Sequence, residues 1–168
     1  ITNIDNDHLS FYDSNQEKLN QSFISFAENL PFYGHILLTL DDSNTRKILK
    51  DIHRRQITFG FNSKNRFQIT DVKLENGLQK FQLIDHANKQ HYKFSTNLSG
   101  RHNLYNVTAA ICVAIEEKIS VKDIAKGLAD FRGVGRRFEL SEIYFSKHPH
   151  VLIDDYGHHP AEILSTIL

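Results

Sequence analysis

Gly100-Arg101-His102-Asn103-Leu104-Tyr105-Asn106-Val107-Thr108-Ala109-Ala110 is the stretch on which the fold turns. It opens a helix that runs on through Ile111, Val113, Ala114 and Ile115 to Glu117, small and apolar nearly all round, which predicts burial on most sides. Only its first turn is polar. Asn103 and Asn106 are three apart, so their carboxamides share one face, and each amide can both donate to and accept from a flat heterocycle edge such as the N6/N7 edge of adenine. The competing reading makes Asn103 the helix N-cap and Asn106 a first-turn residue. His102 beside them favours a site without excluding the cap.

Working outward, 168 residues suit one domain, or one domain and part of another. Apolar residues make up 40% with 12 Phe, enough for a sizeable core, while 20 Lys+Arg balance 20 Asp+Glu, so no global field selects nucleic acid. The single cysteine, Cys112, lies on the apolar helix and predicts a buried thiol in a reducing compartment. No run reaches the roughly 18 apolar residues of a membrane span, and nothing at the start resembles a signal peptide, so a cytoplasmic protein is expected. The chain opens in an apolar run, Ile1-Thr2-Asn3-Ile4, that reads as a strand already under way. It stops inside a helical pattern, Ala161 to Leu168, so a piece of something longer is expected.

Asp5, Asp7 and His8 follow the first run at the position where open α/β sheets gather ligands. They suit a divalent metal or a phosphate-bound Mg²⁺, or are a polar loop. Asn15 to Leu30 reads as an amphipathic helix with Leu19, Phe23, Phe26, Ala27 and Leu30 inward. His35 to Leu40, a helix through Ile48, Leu49 and Ile52, and Gln56 to Phe61 give a β-α-β rhythm and a parallel sheet. Asp41 and Asp42 are explained by helix capping and are assigned no chemistry. From Phe67 to Leu98, with the turn Glu75-Asn76-Gly77, the pattern is that of a small antiparallel meander, either a flap over the site or scaffold.

Ser120 to Asp123 resembles a capping box for a helix burying Ile124, Leu128 and Phe131. Gly133-Val134-Gly135-Arg136-Arg137 allows close backbone approach and offers two guanidinium groups to phosphate oxygens, though a turn with a solvated basic pair fits as well. Lys147 to His150 looks like a boundary, after which Val151-Leu152-Ile153 starts a strand ending in Asp154-Asp155-Tyr156-Gly157-His158-His159-Pro160. The helix that Pro160 opens suits an anion at its N-terminus. Zinc at His158 and His159 is disfavoured, because neighbours point apart and no spaced ligand accompanies them.

Five motifs together resemble the Mur ligases, over nearly the whole chain: Thr2 to His8, Leu30-Pro31-Phe32-Tyr33-Gly34, Gly100-Arg101-His102-Asn103 with Asn106, Gly135-Arg136-Arg137-Phe138, and Asp154 to Pro160. The pattern is most similar to the branch that joins L-alanine to UDP-N-acetylmuramate. Tyr156-Gly157 and the Leu-Pro-Phe-Tyr-Gly stretch set it apart from the murein-recycling branch that attaches a tripeptide. The resemblance implies an α/β fold: a partial central ATPase domain over 1–147, its mostly parallel sheet carrying the small meander, then the first strand and helix of a Rossmann-like C-terminal domain over 148–168.

It implies an ATP-dependent ligase forming a C–N bond through an acyl phosphate, with ATP and Mg²⁺ as cofactors. His8 matches the family's Mg²⁺ ligand. His102, Asn103 and Asn106 match the adenine contacts, and Arg137, or Arg136, matches the arginine presented to phosphate. Asp154, Tyr156 and His158 match the C-terminal domain's contribution to the nucleotide and the incoming amino acid, with Arg137 and His158 as the catalytic pair. The family's phosphate loop would lie upstream, since no Gly-X-X-X-X-Gly-Lys-[Ser/Thr] occurs here, and this stretch alone should be inactive. A non-catalytic nucleotide-binding module is the alternative from another class.

Overall fold

The structure is a computed structural model describing residues 1–6 and 9–167, the side chains at 161 and 165 excepted. Five strands form one sheet in the order β1-β2-β3-β4-β5: β1 (His35–Thr39), β2 (Arg55–Gly60), β3 (Phe67–Glu75), β4 (Leu78–Asp85) and β5 (Gln90–Thr96). The β1, β2 and β3 neighbours are parallel, and β3, β4 and β5 are antiparallel. The meander is therefore neither a flap nor a separate unit. It extends the parallel sheet edge to edge, pairing Phe59 with Phe67. Its tight turn is the expected one, Asn76 and Gly77 both taking positive φ, as a two-residue hairpin loop requires.

Helices cover both faces. Against one face lie α1 (Gln16–Glu28) and α2 (Ser43–Ile48), packing Leu19, Ile24, Ala27 and Ile48 with Ile36 and Leu38 of β1. Against the other lie α3 (Arg101–Glu116) and α4 (Val121–Asp130), packing Leu104, Val107, Ile111, Cys112 and Ile124 with Ile57 and Phe59 of β2 and Phe67, Ile69, Phe81, Leu83 and Phe94 of the meander. The alternation of β1 distributes its side chains between the two cores, Leu37 joining the second. Cys112 is fully buried, which pushes its thiol pKa up.

Several expectations are corrected. Ile1–Ile4 forms no strand: one bond, from the Ile1 nitrogen to Leu37 O at 2.7 Å, reaches β1, and Ile4 is anchored instead by Asn44 Nδ2 donating to its carbonyl at 2.8 Å. Phe26 is 66% exposed because the contact stripe of α1 is rotated toward Asn20 and Ile24. At about 100° per residue, Phe26 lies beyond its edge. Helix α3 buries one face rather than most of its circumference, leaving Val113 exposed. Phe131 is also exposed, whereas Ser120 caps α4 as expected, its Oγ accepting from Asp123 N at 3.1 Å.

After α4, β6 (Glu139–Phe145) and β7 (His148–Asp154) form a two-stranded antiparallel sheet, followed by α5 (Pro160–Ile167). The hairpin turns at Ser146 and Lys147, both at positive φ. The boundary expected at 147 thus falls inside the hairpin, and the strand expected at Val151 begins at His148.

Candidate nucleotide-binding cleft

The carboxyl end of β1 and the first turns of α3 border a cleft of about 1190 Å³, larger than the roughly 300–1,000 Å³ typical of small-ligand pockets. Thr2, Asn3 and Asp5 come to it from the first segment, His102, Asn103 and Asn106 from α3, Arg137 from the turn before β6, and Asp155, His159 and Glu162 from the C-terminal turn and helix. Leu98, Val107, Leu128, Phe131 and Val134 give it apolar walls. A slot with apolar walls and amide edges suits a flat heterocycle, whose faces shed water and whose rim needs hydrogen bonds.

The α3 end is built without a side-chain cap. Gly100, at φ 90°, is the N-cap, and a Cβ there would lie 2.7 Å from His102 Cε1. Asn103 is thus not the N-cap but the third residue of the helix, its Nδ2 donating to Ser99 O at 2.7 Å. Asn106 is exposed and its carboxamide has no hydrogen bond among the described residues, and His102 Nδ1 is a buried nitrogen lacking a partner among them. The Asn106 carboxamide is thus open to a ligand edge, whereas His102 Nδ1 is enclosed against Gly100.

The two arginines part. Arg136, at φ 57°, sets its Nε 3.8 Å from Asp154 Oδ1 and its guanidinium 4.9 Å from the Tyr156 ring centroid. Tyr156 in turn meets the His158 ring edge-on at 5.1 Å. Arg136, Asp154, Tyr156 and His158 thus form an outer cluster that does not line the cleft. Arg137, Asp155 and His159 do. At the end of β7 neighbouring side chains face opposite sides, so Asp154, its last residue, and Asp155 part.

Asp155 anchors this wall, its carboxylate accepting from Gly157 N at 2.7 Å and Phe138 N at 2.8 Å. Gly157 first, then Phe138 and the charges of Arg137 and His102, hold the Asp155 carboxyl below its usual pKa against the opposing effect of burial. His159 Nδ1 lies 3.9 Å from Asp5 Oδ2, joining the two ends of the described chain across the site. His8, the expected Mg²⁺ ligand, lies outside the described residues, as does Asp7. Among the described residues no group of three His, Cys, Asp or Glu side chains is arranged to hold a metal, and no helix is long and apolar enough to cross a membrane.

One lining residue was passed over by the sequence reading. Asp42 is the N-cap of α2, as expected, accepting from Thr45 N at 2.6 Å, but Asp41 caps nothing. Its carboxylate turns into the sheet and across to α3, where Tyr105 Oη donates to it at 2.7 Å.

The cleft lies at the carboxyl end of β1 in a mixed α/β sheet, with Arg137 brought to it by a second chain segment, and the chain belongs to the Mur ligase family: the Mur ligase middle domain model matches residues 1–114. Among curated proteins it is 41% identical to the UDP-N-acetylmuramate--L-alanine ligase of Wigglesworthia glossinidia brevipalpis, over 99% of this chain and 36% of that protein. It is 42% identical to the ligase of the same name from Buchnera aphidicola, over 99% and 35%. The chain therefore spans about a third of the length of these relatives.

Among solved structures, MurF from Acinetobacter baumannii superposes with a TM-score of 0.79 at 23% identity, over 97% of this chain and 34% of that one. UDP-N-acetylmuramate-alanine ligase MurC from Thermotoga maritima gives 0.74 at 23%, over 95% and 34%. MurF from Thermotoga maritima, solved in complex with ADP, gives 0.78 at 18%, over 99% and 37%. At these identities the likeness is one of fold.

Proposed function

We propose that the chain is part of a cytoplasmic ATP-dependent ligase that joins L-alanine to UDP-N-acetylmuramate in peptidoglycan biosynthesis. The observation that carries this reading is the exposed Asn106 carboxamide, unbonded among the described residues, in a cleft with apolar walls that Arg137 also lines. The relatives 41% and 42% identical across nearly the whole chain supply the substrates. In this reading residues up to about 138 belong to the central domain, and the second unit begins with the β6–β7 hairpin rather than at 148.

ATP, when bound, supplies the phosphoryl group that activates the muramoyl carboxylate. Asn106 donates to and accepts from the adenine edge, and Leu98, Val107 and Phe131 shield the ring faces from water. The Arg137 guanidinium offsets phosphate charge, and Asp155 keeps the turn that carries it in place. His8 matches the family's Mg²⁺ ligand and would hold the ion, which would offset phosphate charge during transfer; among the described residues no group of three donors is arranged for a metal.

Phosphate release by the full-length protein, given ATP, UDP-N-acetylmuramate and in turn L-alanine, glycine, L-serine or the tripeptide, tests the assignment. Turnover is expected to be fastest with L-alanine. Fastest turnover with the tripeptide assigns the recycling branch instead, and nucleotide binding without turnover makes the chain part of a non-catalytic module. Asn106→Ala is expected to weaken ADP binding by about 10- to 100-fold, the worth of a bidentate amide–adenine contact. Isothermal titration of the full-length protein reads it, and an unchanged dissociation constant removes Asn106 from the site.

A further inference from the structure

We propose that Asp41 is a positioning residue for the nucleotide end of the cleft: its carboxylate ties the first two turns of α3, and with them His102, Asn103 and Asn106, to the carboxyl ends of β1 and β2. The proposal deepens the nucleotide-binding reading and rests on it. Both carboxylate oxygens are filled. Oδ1 accepts from Asn62 N at 2.9 Å and Asn65 Nδ2 at 3.0 Å, while Oδ2 accepts from Phe61 N at 2.6 Å and Tyr105 Oη at 2.7 Å. Three of the four donors belong to the turn after β2. The fourth reaches over from α3, 64 positions along the chain.

The surroundings are shaped to this carboxylate. Gly60 precedes the two donating amides at φ 141°, and a Cβ there would come within 2.8 Å of Asp41 Oδ2, so only glycine lets the acid approach. Phe61 meets the Tyr105 ring edge-on at 5.3 Å and carries the Arg101 guanidinium 3.7 Å above its own ring centroid, so the first residue of α3 is held on the same turn. Burial pushes the Tyr105 hydroxyl up to about 12, reinforced by the Asp41 carboxylate, so it stays a donor through the physiological range. Burial would also raise Asp41, but the bonds from Tyr105, Phe61, Asn62 and Asn65 outweigh it and hold the carboxyl below its usual value.

Directionality makes this a matter of position rather than of burial alone. Helix α3 docks on the sheet through Leu104, Val107 and Ile111, and because apolar burial is non-directional it restrains the roll of the helix start less sharply than hydrogen bonds do. Its start has no side-chain cap. The directional restraints there are the Tyr105–Asp41 bond, the Arg101–Phe61 stack and Gln79 Nε2 donating to Leu98 O at 2.6 Å and Gly100 O at 3.2 Å. Asn106 lies one residue beyond Tyr105, so a roll that breaks the Tyr105 bond also turns the carboxamide away from the slot.

Asp41→Asn and Tyr105→Phe in the full-length protein test this, with two readouts. An asparagine at 41 must point an NH₂ at two donors, whereas Tyr105→Phe removes one donor and leaves three in place. Hydrogen exchange across 101–108, read without ligand, is expected to accelerate by about ten-fold in Asp41→Asn and about three-fold in Tyr105→Phe. ADP binding is expected to weaken by similar factors, with UDP-N-acetylmuramate binding within about two-fold of the parent, and the double variant no worse than Asp41→Asn.

Unchanged exchange in both variants overturns the hub. Faster exchange with unaltered ADP affinity reduces Asp41 to scaffold, and so does a parallel loss of both ligands. Tyr105→Phe decides the matter by the same readouts if Asp41→Asn does not fold. A parent protein that binds no ADP sinks the nucleotide reading and the positioning role with it, whereas unchanged exchange sinks the hub alone.

Discussion

Arg137→Ala in the full-length protein is expected to lower the rate of ATP-dependent ligation by about 10²- to 10³-fold, the cost of removing one fixed group aimed at charge that develops in the transition state. Arg137 lines the cleft and is exposed, and although its charge acts on the Asp155 and Glu162 carboxylates, its guanidinium makes no hydrogen bond or close ion pair among the described residues, so its donors are open to a phosphate. Arg136 is already engaged by Asp154 and the Tyr156 ring. Arg136→Ala should therefore cost far less, a discrimination that the tandem Arg-Arg motif does not itself contain. Arg137→Lys should recover part of the rate, because lysine restores the charge but not the planar two-pronged donor. Steady-state phosphate release with saturating acceptors separates the cases, and equal losses in the two alanine variants would remove Arg137 from its role.

The largest stability effect is expected far from the cleft, at Asp85. Fully buried at the end of β4, its carboxylate accepts from Arg66 at 3.3 and 3.4 Å, from Ala87 N and Asn88 N at 3.0 and 3.3 Å, and from Asn88 Nδ2 at 2.7 Å. Arg66 also holds Glu116 of α3 at 2.7 Å, so the network joins the meander to the end of the helix whose start carries the site. Asp85→Ala leaves Arg66 paired with Glu116 alone and takes the acceptor from two loop amides and the Asn88 carboxamide, and is expected to destabilise the protein by about 1–3 kcal/mol, as leaving buried donors without an acceptor does. Urea unfolding measures it.

The pH dependence has a definite sign. Burial would raise the Asp85 carboxyl, but Arg66 and Asn88 outweigh it and hold the folded-state pKa below its ordinary value of 3.8. Asp85 therefore stabilises the fold fully above about pH 3.8 and loses that contribution as pH falls through the lowered folded value. The gap between parent and Asp85→Ala should narrow in acid. A gap that is small at neutral pH, or that widens in acid, would show that the network does not stabilise the fold.

Much of the molecule was legible in the order of its residues. The β-α-β alternation, the Asn76-Gly77 turn, the Ser120 cap and the buried Cys112 each follow from rules acting over a few neighbouring positions, and the five motifs in register pointed to the family. Short-range rules failed where two outcomes cost nearly the same locally. Ser146-Lys147 lacks the glycine or asparagine that announces a positive-φ turn, so the β6–β7 hairpin went unread. Phe26 fits a helical stripe, but the rotation of α1 on the sheet leaves it in water. Asp154 and Asp155 are the same residue type, and only the phase of the strand decides which one faces the cleft.

The sequence by itself determined the elements, the two apolar faces and the chemical types available for a site. Tertiary structure alone decided which groups meet, because Tyr105 with Asp41, Arg66 with Glu116 and His159 with Asp5 are pairings between distant positions. Periodicity and capping carry no information about such distances. They are set by how two helical layers seat on one twisted sheet, and a carboxylate that looks like a second helix cap becomes the tie between strand and helix only once that seating brings a phenol within 2.7 Å.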